Sequence, residues 1–133
     1  MSNTAAVVEV YFDGLCLPKN PGGIACYAYV IKEKGGRLLH SGSGVAAEPS
    51  AQSTNNVAEY TALIKALEWL DENGYTSHWV EVKGDSQLVV KQMNGEFRVK
   101  NKQIIPLFQK AALLRRKFRD ISIAWVPREQ NSE

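Results

Sequence analysis

The length of 133 residues and the hydrophobic content of 44% fit one domain that buries its own core. The net charge of +2 does not by itself indicate a nucleic-acid-binding protein. Cys16 and Cys26 are the only cysteines, and their spacing suggests neither a zinc site nor a disulfide framework. Because neither a signal peptide nor a run of about 18 apolar residues is present, we expect a cytoplasmic protein without a membrane segment.

The first part of the chain predicts three consecutive strands. Residues 7–12 are rich in β-branched and aromatic side chains and run into Asp13 and Gly14, a common turn dipeptide. A loop rich in proline and glycine leads to a second strand over residues 24–31, and a glycine turn leads to a third over residues 37–45. We expect an antiparallel meander with Asp13 at the C-terminal end of its first strand.

The remainder predicts alternating helices and strands. Residues 53–56 supply helix-capping side chains before an apolar stripe at helical spacing that ends near residue 71. Residues 79–83 predict a fourth strand, and Asp85 or Ser86 is expected to cap a short helix that ends at Met93. A further helical stripe begins at Ile104, and a last strand is predicted over residues 121–126.

This order of elements indicates an α/β fold with a mixed sheet. Strands one and four, which a helix separates, can lie parallel and adjacent through a right-handed crossover. Asp13 and Asp85 would then project from the same edge of the sheet, where open α/β sheets bind their ligands. Glu59, placed in the first turn of the intervening helix, is expected to join them.

Three converging carboxylates suit magnesium chemistry. Mg²⁺ prefers a few carboxylate oxygens with waters and phosphate oxygens, and two such ions can hydrolyse a phosphodiester without a nucleophilic side chain. Each acid also has a structural alternative: Glu59 with Asn56 resembles a capping box, Asp13 fits a turn, and Asp85 fits a helix start.

Basic residues concentrate in one segment of the chain. Between Lys91 and Arg119 there are nine Lys and Arg residues and a single acid, Glu96. Such a segment is either a solvated helix face or a surface that follows nucleic-acid phosphates. Composition does not choose between the two.

Several blocks in order resemble type 1 ribonuclease H over essentially the whole chain. They are Tyr11-Phe12-Asp13-Gly14, Asn20-Pro21-Gly22-Gly23, the stretch from Ser53 to Tyr60, Gly84-Asp85-Ser86-Gln87-Leu88-Val89, and the stretch from Trp125 to Asn131. The resemblance implies a five-stranded mixed sheet with helices on both sides. It also implies metal-dependent cleavage of the RNA strand of RNA/DNA hybrids. No membrane or protein partner is implied, and we expect a monomer.

The resemblance assigns roles to individual residues. Asp13, Glu59 and Asp85 match the first three of four acidic residues that hold two Mg²⁺ ions, for which Mn²⁺ can substitute. The matching substrate contacts are Gly14, Asn20, Thr54, Asn55, Asn56 and Gln87, with Asn56 and Gln87 in the minor groove. Amides and hydroxyls suit this task because recognition of RNA requires hydrogen bonds to 2′-hydroxyls. Helix capping is the alternative role for residues 54–56, and Phe97 fits either a DNA contact or the core.

The chain departs from the family in three respects. It resembles the compact members that lack a basic protrusion, and it has no histidine after the last strand, since His40 and His78 are expected on the surface elsewhere. The fourth acid is also missing. We expect that residues 1–133 are one domain shortened at its C-terminus, with substitution by Glu129 or Glu133 as the alternative.

Two alternatives to hybrid cleavage by this chain stay open, and the first follows from the missing fourth acid. Without its fourth carboxylate the domain could bind hybrids and cleave them poorly or not at all. A resolvase or integrase core of the same superfamily is a third reading, and it leaves the matches at Asn56 and Gln87 unexplained.

Overall fold

The computed structural model describes residues 7–50 and 53–130, which form five strands and three α-helices. A short 3₁₀ helix, Arg128–Gln130, follows the last strand. The elements in chain order are β1 (Val8–Leu17), β2 (Ile24–Glu33), β3 (Leu38–Ala47), α1 (Asn55–Glu72), β4 (Trp79–Gly84), α2 (Gln87–Met93), α3 (Ile104–Arg116) and β5 (Asp120–Trp125). None of the described helices is long and apolar enough to cross a membrane.

The five strands form one mixed sheet in the order β3-β2-β1-β4-β5. β1 pairs with β2, and β2 with β3, in antiparallel fashion, while β4 runs parallel to both β1 and β5. This topology confirms the predicted meander and the predicted parallel pairing of strands one and four.

β1 differs from its prediction because it does not end at Phe12. It continues to Leu17, and Asp13 and Gly14 pair with β2 as strand residues instead of forming a turn. Pairing with β4, by contrast, stops at the partners Phe12 and Gly84. The sheet therefore opens beside Asp13, in the interior of a strand.

One cluster of buried apolar side chains joins the described helices to the sheet. Val8, Val10 and Phe12 alternate along β1 toward this core, where α1 packs across the strands with Tyr60 and Leu63 fully buried. α3 packs on α1. The helix α1 is thereby fixed against β1, which positions its N-terminal end beside the opening in the sheet.

Candidate metal centre

Gly14 is the point at which β1 touches α1. A Cβ atom at Gly14 would lie 2.4 Å from the backbone N of Glu59 and 2.6 Å from the backbone C of Ala58. Only a residue without a side chain allows this approach. The approach brings Glu59 to the sheet opening, next to Asp13, whose Oδ1 accepts a hydrogen bond of 2.8 Å from Gly14 N.

The start of α1 decides the role of Glu59. Thr54 is the N-cap, and its Oγ1 accepts a hydrogen bond of 3.2 Å from Val57 N. The capping box of Asn56 with Glu59 is therefore wrong, and Glu59 lies in the second turn of the helix, not in the first. Its side chain is buried, at 8% exposure, and is free of a capping role.

Asp85 lies in the short connection between β4 and α2. Ser86 caps α2 through a hydrogen bond of 3.2 Å from Val89 N to its Oγ, which settles the choice that the sequence left open. The Asp85 side chain is 5% exposed, and Arg128 Nε lies 3.5 Å from its Oδ2. Oδ2 itself is buried and has no hydrogen-bond partner in the described part of the protein.

Asp13, Glu59 and Asp85 form one cluster, with one carboxylate oxygen from each within 4.8 Å of the others. Burial raises the pKa of Glu59 to about 8; a Ser86 hydrogen bond opposes this rise, and the charges of Asp85 and Asp13 add to it. Burial, and then the charge of Asp85, also raises the pKa of Asp13. Three crowded carboxylates, one of them with a buried oxygen that accepts no hydrogen bond, fit a divalent cation, which would offset their repulsion.

A polar cleft of about 380 Å³ lies beside the cluster. Four of the predicted substrate contacts line it: Asn20, Thr54, Asn55 and Asn56. Gln87 does not; it lines a neighbouring groove of about 310 Å³ together with Lys91 and Trp125. Sequence reasoning missed Asn101 and Arg128, which also line the cleft. Arg128 belongs to the block from Trp125 to Asn131, but that block gave it no role, and Asn101 lies in none of the blocks.

Backbone and side-chain contacts hold the Asn20 loop against the start of α1. Asn20 Oδ1 accepts a hydrogen bond of 3.1 Å from Asn55 N. The fully buried Ser53 accepts a backbone hydrogen bond of 2.9 Å from Gly22 N and donates through its hydroxyl to Gly23 O. These hydrogen bonds fix the loop that carries Asn20 against the first residues of α1, Asn55 and Asn56.

The described residues do not contain a fourth acid in the cluster. Glu129, one of the two proposed substitutes, is exposed on the 3₁₀ helix and is not a member of the cluster. Glu133, the other, lies outside the described residues. Within the described ranges, the positive Arg128 faces Asp85 from this segment.

Two groups of residues within the basic segment differ in their surroundings. Lys110 pairs with Glu68 at 3.1 Å and Lys117 pairs with Asp71 at 2.9 Å, so both belong to the solvated faces of helices. Arg98, Lys100 and Lys102 are exposed in the connection before α3. The second group remains a candidate surface for phosphates.

The surroundings of Phe97 and of the two histidines follow from the tertiary structure and not from the sequence. Phe97 is 47% exposed, with Lys91 Nζ 5.1 Å from its ring centre, so it is not a core residue. His40 and His78 are half-buried, contrary to the surface expectation. His40 stacks on Trp69 with ring centres 4.8 Å apart, and His78 packs against Tyr75 at 4.7 Å.

Comparisons with known proteins agree with this architecture. A family profile described as "Reverse transcriptase-like" matches residues 12–133. Ribonuclease HI of Halobacterium salinarum is 36% identical over 124 residues, which are 93% of this chain and 58% of that protein. The chain spans between 22% and 58% of the length of the curated relatives that it matches.

Solved structures match more completely. The N-terminal RNase H domain of rv2228c from Mycobacterium tuberculosis has a TM-score of 0.85 and 32% identity, with 96% of this chain and 87% of that chain covered. LC11-RNase H1 in complex with an RNA/DNA hybrid has a TM-score of 0.83 and 35% identity, with 94% and 88% covered. Given the shared fold and the identity across nearly the whole length, the chain belongs to the type 1 ribonuclease H family.

Proposed function

We propose that the chain hydrolyses the RNA strand of RNA/DNA hybrids with two divalent metal ions, Mg²⁺ or Mn²⁺, at Asp13, Glu59 and Asp85. The observation that carries this proposal is the convergence of three carboxylates within 4.8 Å beside a cleft lined with amides. A related RNase H1 forms a complex with an RNA/DNA hybrid, which supports this choice of substrate.

In this proposal the metal ions and the three carboxylates have different tasks. Bound ions supply the Lewis acidity that activates the attacking water and stabilises the leaving oxygen. Asp13, Glu59 and Asp85 would hold the cations, and Glu59 would have to release the proton that burial favours, because a carboxylate binds a metal ion in its deprotonated form.

The cleft supplies the recognition of RNA. Asn20, Asn55 and Asn56 offer amide donors and acceptors, and Thr54 offers a hydroxyl, all within one cleft beside Glu59 and Asp85. These groups suit 2′-hydroxyls in the shallow minor groove of a hybrid. Arg128 places a positive charge in the same cleft, where a phosphate has to approach.

The proposal is tested with a labelled RNA/DNA hybrid and matched RNA and DNA duplexes, in Mg²⁺ and in Mn²⁺. We expect cleavage of the RNA strand of the hybrid alone. Asp13→Asn should lower the rate by at least about a hundredfold, since the loss of even an outer-shell partner of a metal ligand costs 10- to 100-fold. Asp120→Asn, an exposed aspartate at the start of β5, is the control.

A second candidate function is hybrid binding without cleavage. It is favoured by the cluster itself, which has three acids in the described residues where the family motif has four. The same experiment separates the two, because binding in a gel-shift assay with no cleavage in either metal would support the second. The monomeric state and the cytoplasmic location stay predictions.

A further inference from the structure

Asp85 differs from Asp13 and Glu59 in that it does not lie within a strand or a helix. Asp13 lies inside β1, where it pairs with β2, and Glu59 lies inside α1. Asp85 lies outside both β4, which ends at Gly84, and α2, which begins at Gln87. Its position therefore depends on contacts from elsewhere in the fold.

Those contacts come from the last residue of β5 and from the segment that follows it. Val126 N donates a hydrogen bond of 2.9 Å to Gly84 O, and Trp125 Nε1 donates one of 3.2 Å to Asp85 O. Arg128 Nε lies 3.5 Å from Asp85 Oδ2. We call residues 125–128 the Asp85 clamp, because they contact both the backbone carbonyl and the carboxylate of Asp85.

Within the clamp, burial in the core does not account for the presence of a tryptophan at position 125. Its side chain is 44% exposed, so an apolar ring stands partly in water at the rim of the metal centre. Its indole N–H is nevertheless used, and the acceptor is the carbonyl of a cluster residue. A smaller or more polar side chain would be better suited to a partly exposed position. It would not, however, place an N–H donor within hydrogen-bonding distance of the Asp85 carbonyl.

We propose that Trp125 is a positioning residue for the metal centre: its indole N–H fixes the Asp85 carbonyl, and this keeps the Asp85 carboxylate in register with Asp13 and Glu59. The inference rests on the proposed function, since it takes the three carboxylates to bind a divalent cation. Partners outside the ligand shell commonly set the affinity of a metal site in this way.

The direct test is Mn²⁺ binding without substrate, measured by calorimetry on the full chain. Trp125→Phe keeps one aromatic ring and removes the N–H donor together with part of the ring area. Trp79→Phe is the matched control, because Trp79 lies at the opposite end of β4 and is 55% exposed. We expect Trp125→Phe to weaken Mn²⁺ binding about threefold to tenfold, the range of one lost hydrogen bond, and Trp79→Phe to leave it unchanged.

Two further readouts separate positioning from a purely structural role. The melting temperature of Trp125→Phe should match that of Trp79→Phe. In cleavage assays, the metal concentration for half-maximal rate should rise by the same factor.

The failures of the two proposals are distinguishable. If the wild-type chain binds no Mn²⁺ at all, the metal centre is wrong and the proposed function falls with it. If the wild-type chain binds Mn²⁺ and Trp125→Phe binds it within twofold of Trp79→Phe, only the inference on Trp125 is overturned. The inference is also overturned if Trp125→Phe loses affinity for Mn²⁺ and melts at a lower temperature than Trp79→Phe. Trp125 would then act through the stability of the fold.

Discussion

Glu59 is the ionisable residue whose burial has the clearest consequence for stability. Its pKa is raised from 4.5 to about 8, first by burial and also by the charges of Asp85 and Asp13. Between these two values the folded chain retains a proton that the unfolded chain releases. The contribution of Glu59 to the free energy of unfolding is therefore fully present below about pH 4.5 and is lost as the pH rises toward about 8.

Substitution Glu59→Gln should remove this pH dependence. In metal-free buffer, the free energy of unfolding of the variant should exceed that of the wild type by more than about 1 kcal/mol at pH 9, with a smaller difference at pH 4, since each pKa unit corresponds to about 1.36 kcal/mol. Urea denaturation at both pH values measures it. Glu68→Gln, on the same helix and paired with Lys110, is the control, and an equal pH response there would contradict the prediction.

Thr54 has two tasks that substitution can separate. As the N-cap of α1 it accepts the hydrogen bond from Val57 N, and it also lines the cleft. Thr54→Ala should lower the free energy of unfolding by about 1 kcal/mol, whereas Thr54→Ser, which keeps the hydroxyl, should lower it by much less. Thermal denaturation of the two variants side by side checks this, and equal losses would argue against capping by the side chain.

At the scale of the elements, the packing of β1 on α1 connects stability to the site. Gly14→Ala would place a Cβ 2.4 Å from Glu59 N, a backbone atom that cannot rotate away. We expect a loss of about 1–3 kcal/mol in the free energy of unfolding from overpacking, together with lower hybrid cleavage because Glu59 shifts. Gly36→Ala, where an added Cβ meets nothing within 4 Å, should be nearly neutral in both assays.

Local sequence signals predicted the existence and type of the elements and failed at specific boundaries. Alternating and helical apolar patterns depend on neighbours two to four residues apart, so all five strands and three helices were predictable. The Asp13-Gly14 dipeptide was misassigned to a turn because its strand is stabilised by pairing with β2, and its glycine serves a contact with α1. Neither partner is visible from the dipeptide itself.

At the scale of the whole molecule, ion pairs between helices distinguish basic side chains that are already paired from those that we expect to face nucleic acid. Lys102 is exposed before α3, whereas Lys110 is already paired with Glu68. Lys102→Gln should reduce the slope of log affinity for the hybrid against log salt by about one, the effect of one lost phosphate contact. Lys110→Gln should leave the slope unchanged. Titrations by fluorescence anisotropy at several salt concentrations measure both, and equal slopes for the two variants would contradict this division.

The sequence by itself determined the class of fold, the strand order at its centre, the family and the identity of the three acids, because these depend on local periodicity and on motif blocks that read in order along the chain. The tertiary structure decided how close Asp13, Glu59 and Asp85 come, how deeply Glu59 is buried, and which capping residue begins α1. It also brought Arg128 and Trp125 to Asp85. These properties depend on packing between segments that are distant in sequence, and periodicity along one segment carries no information about distances to another.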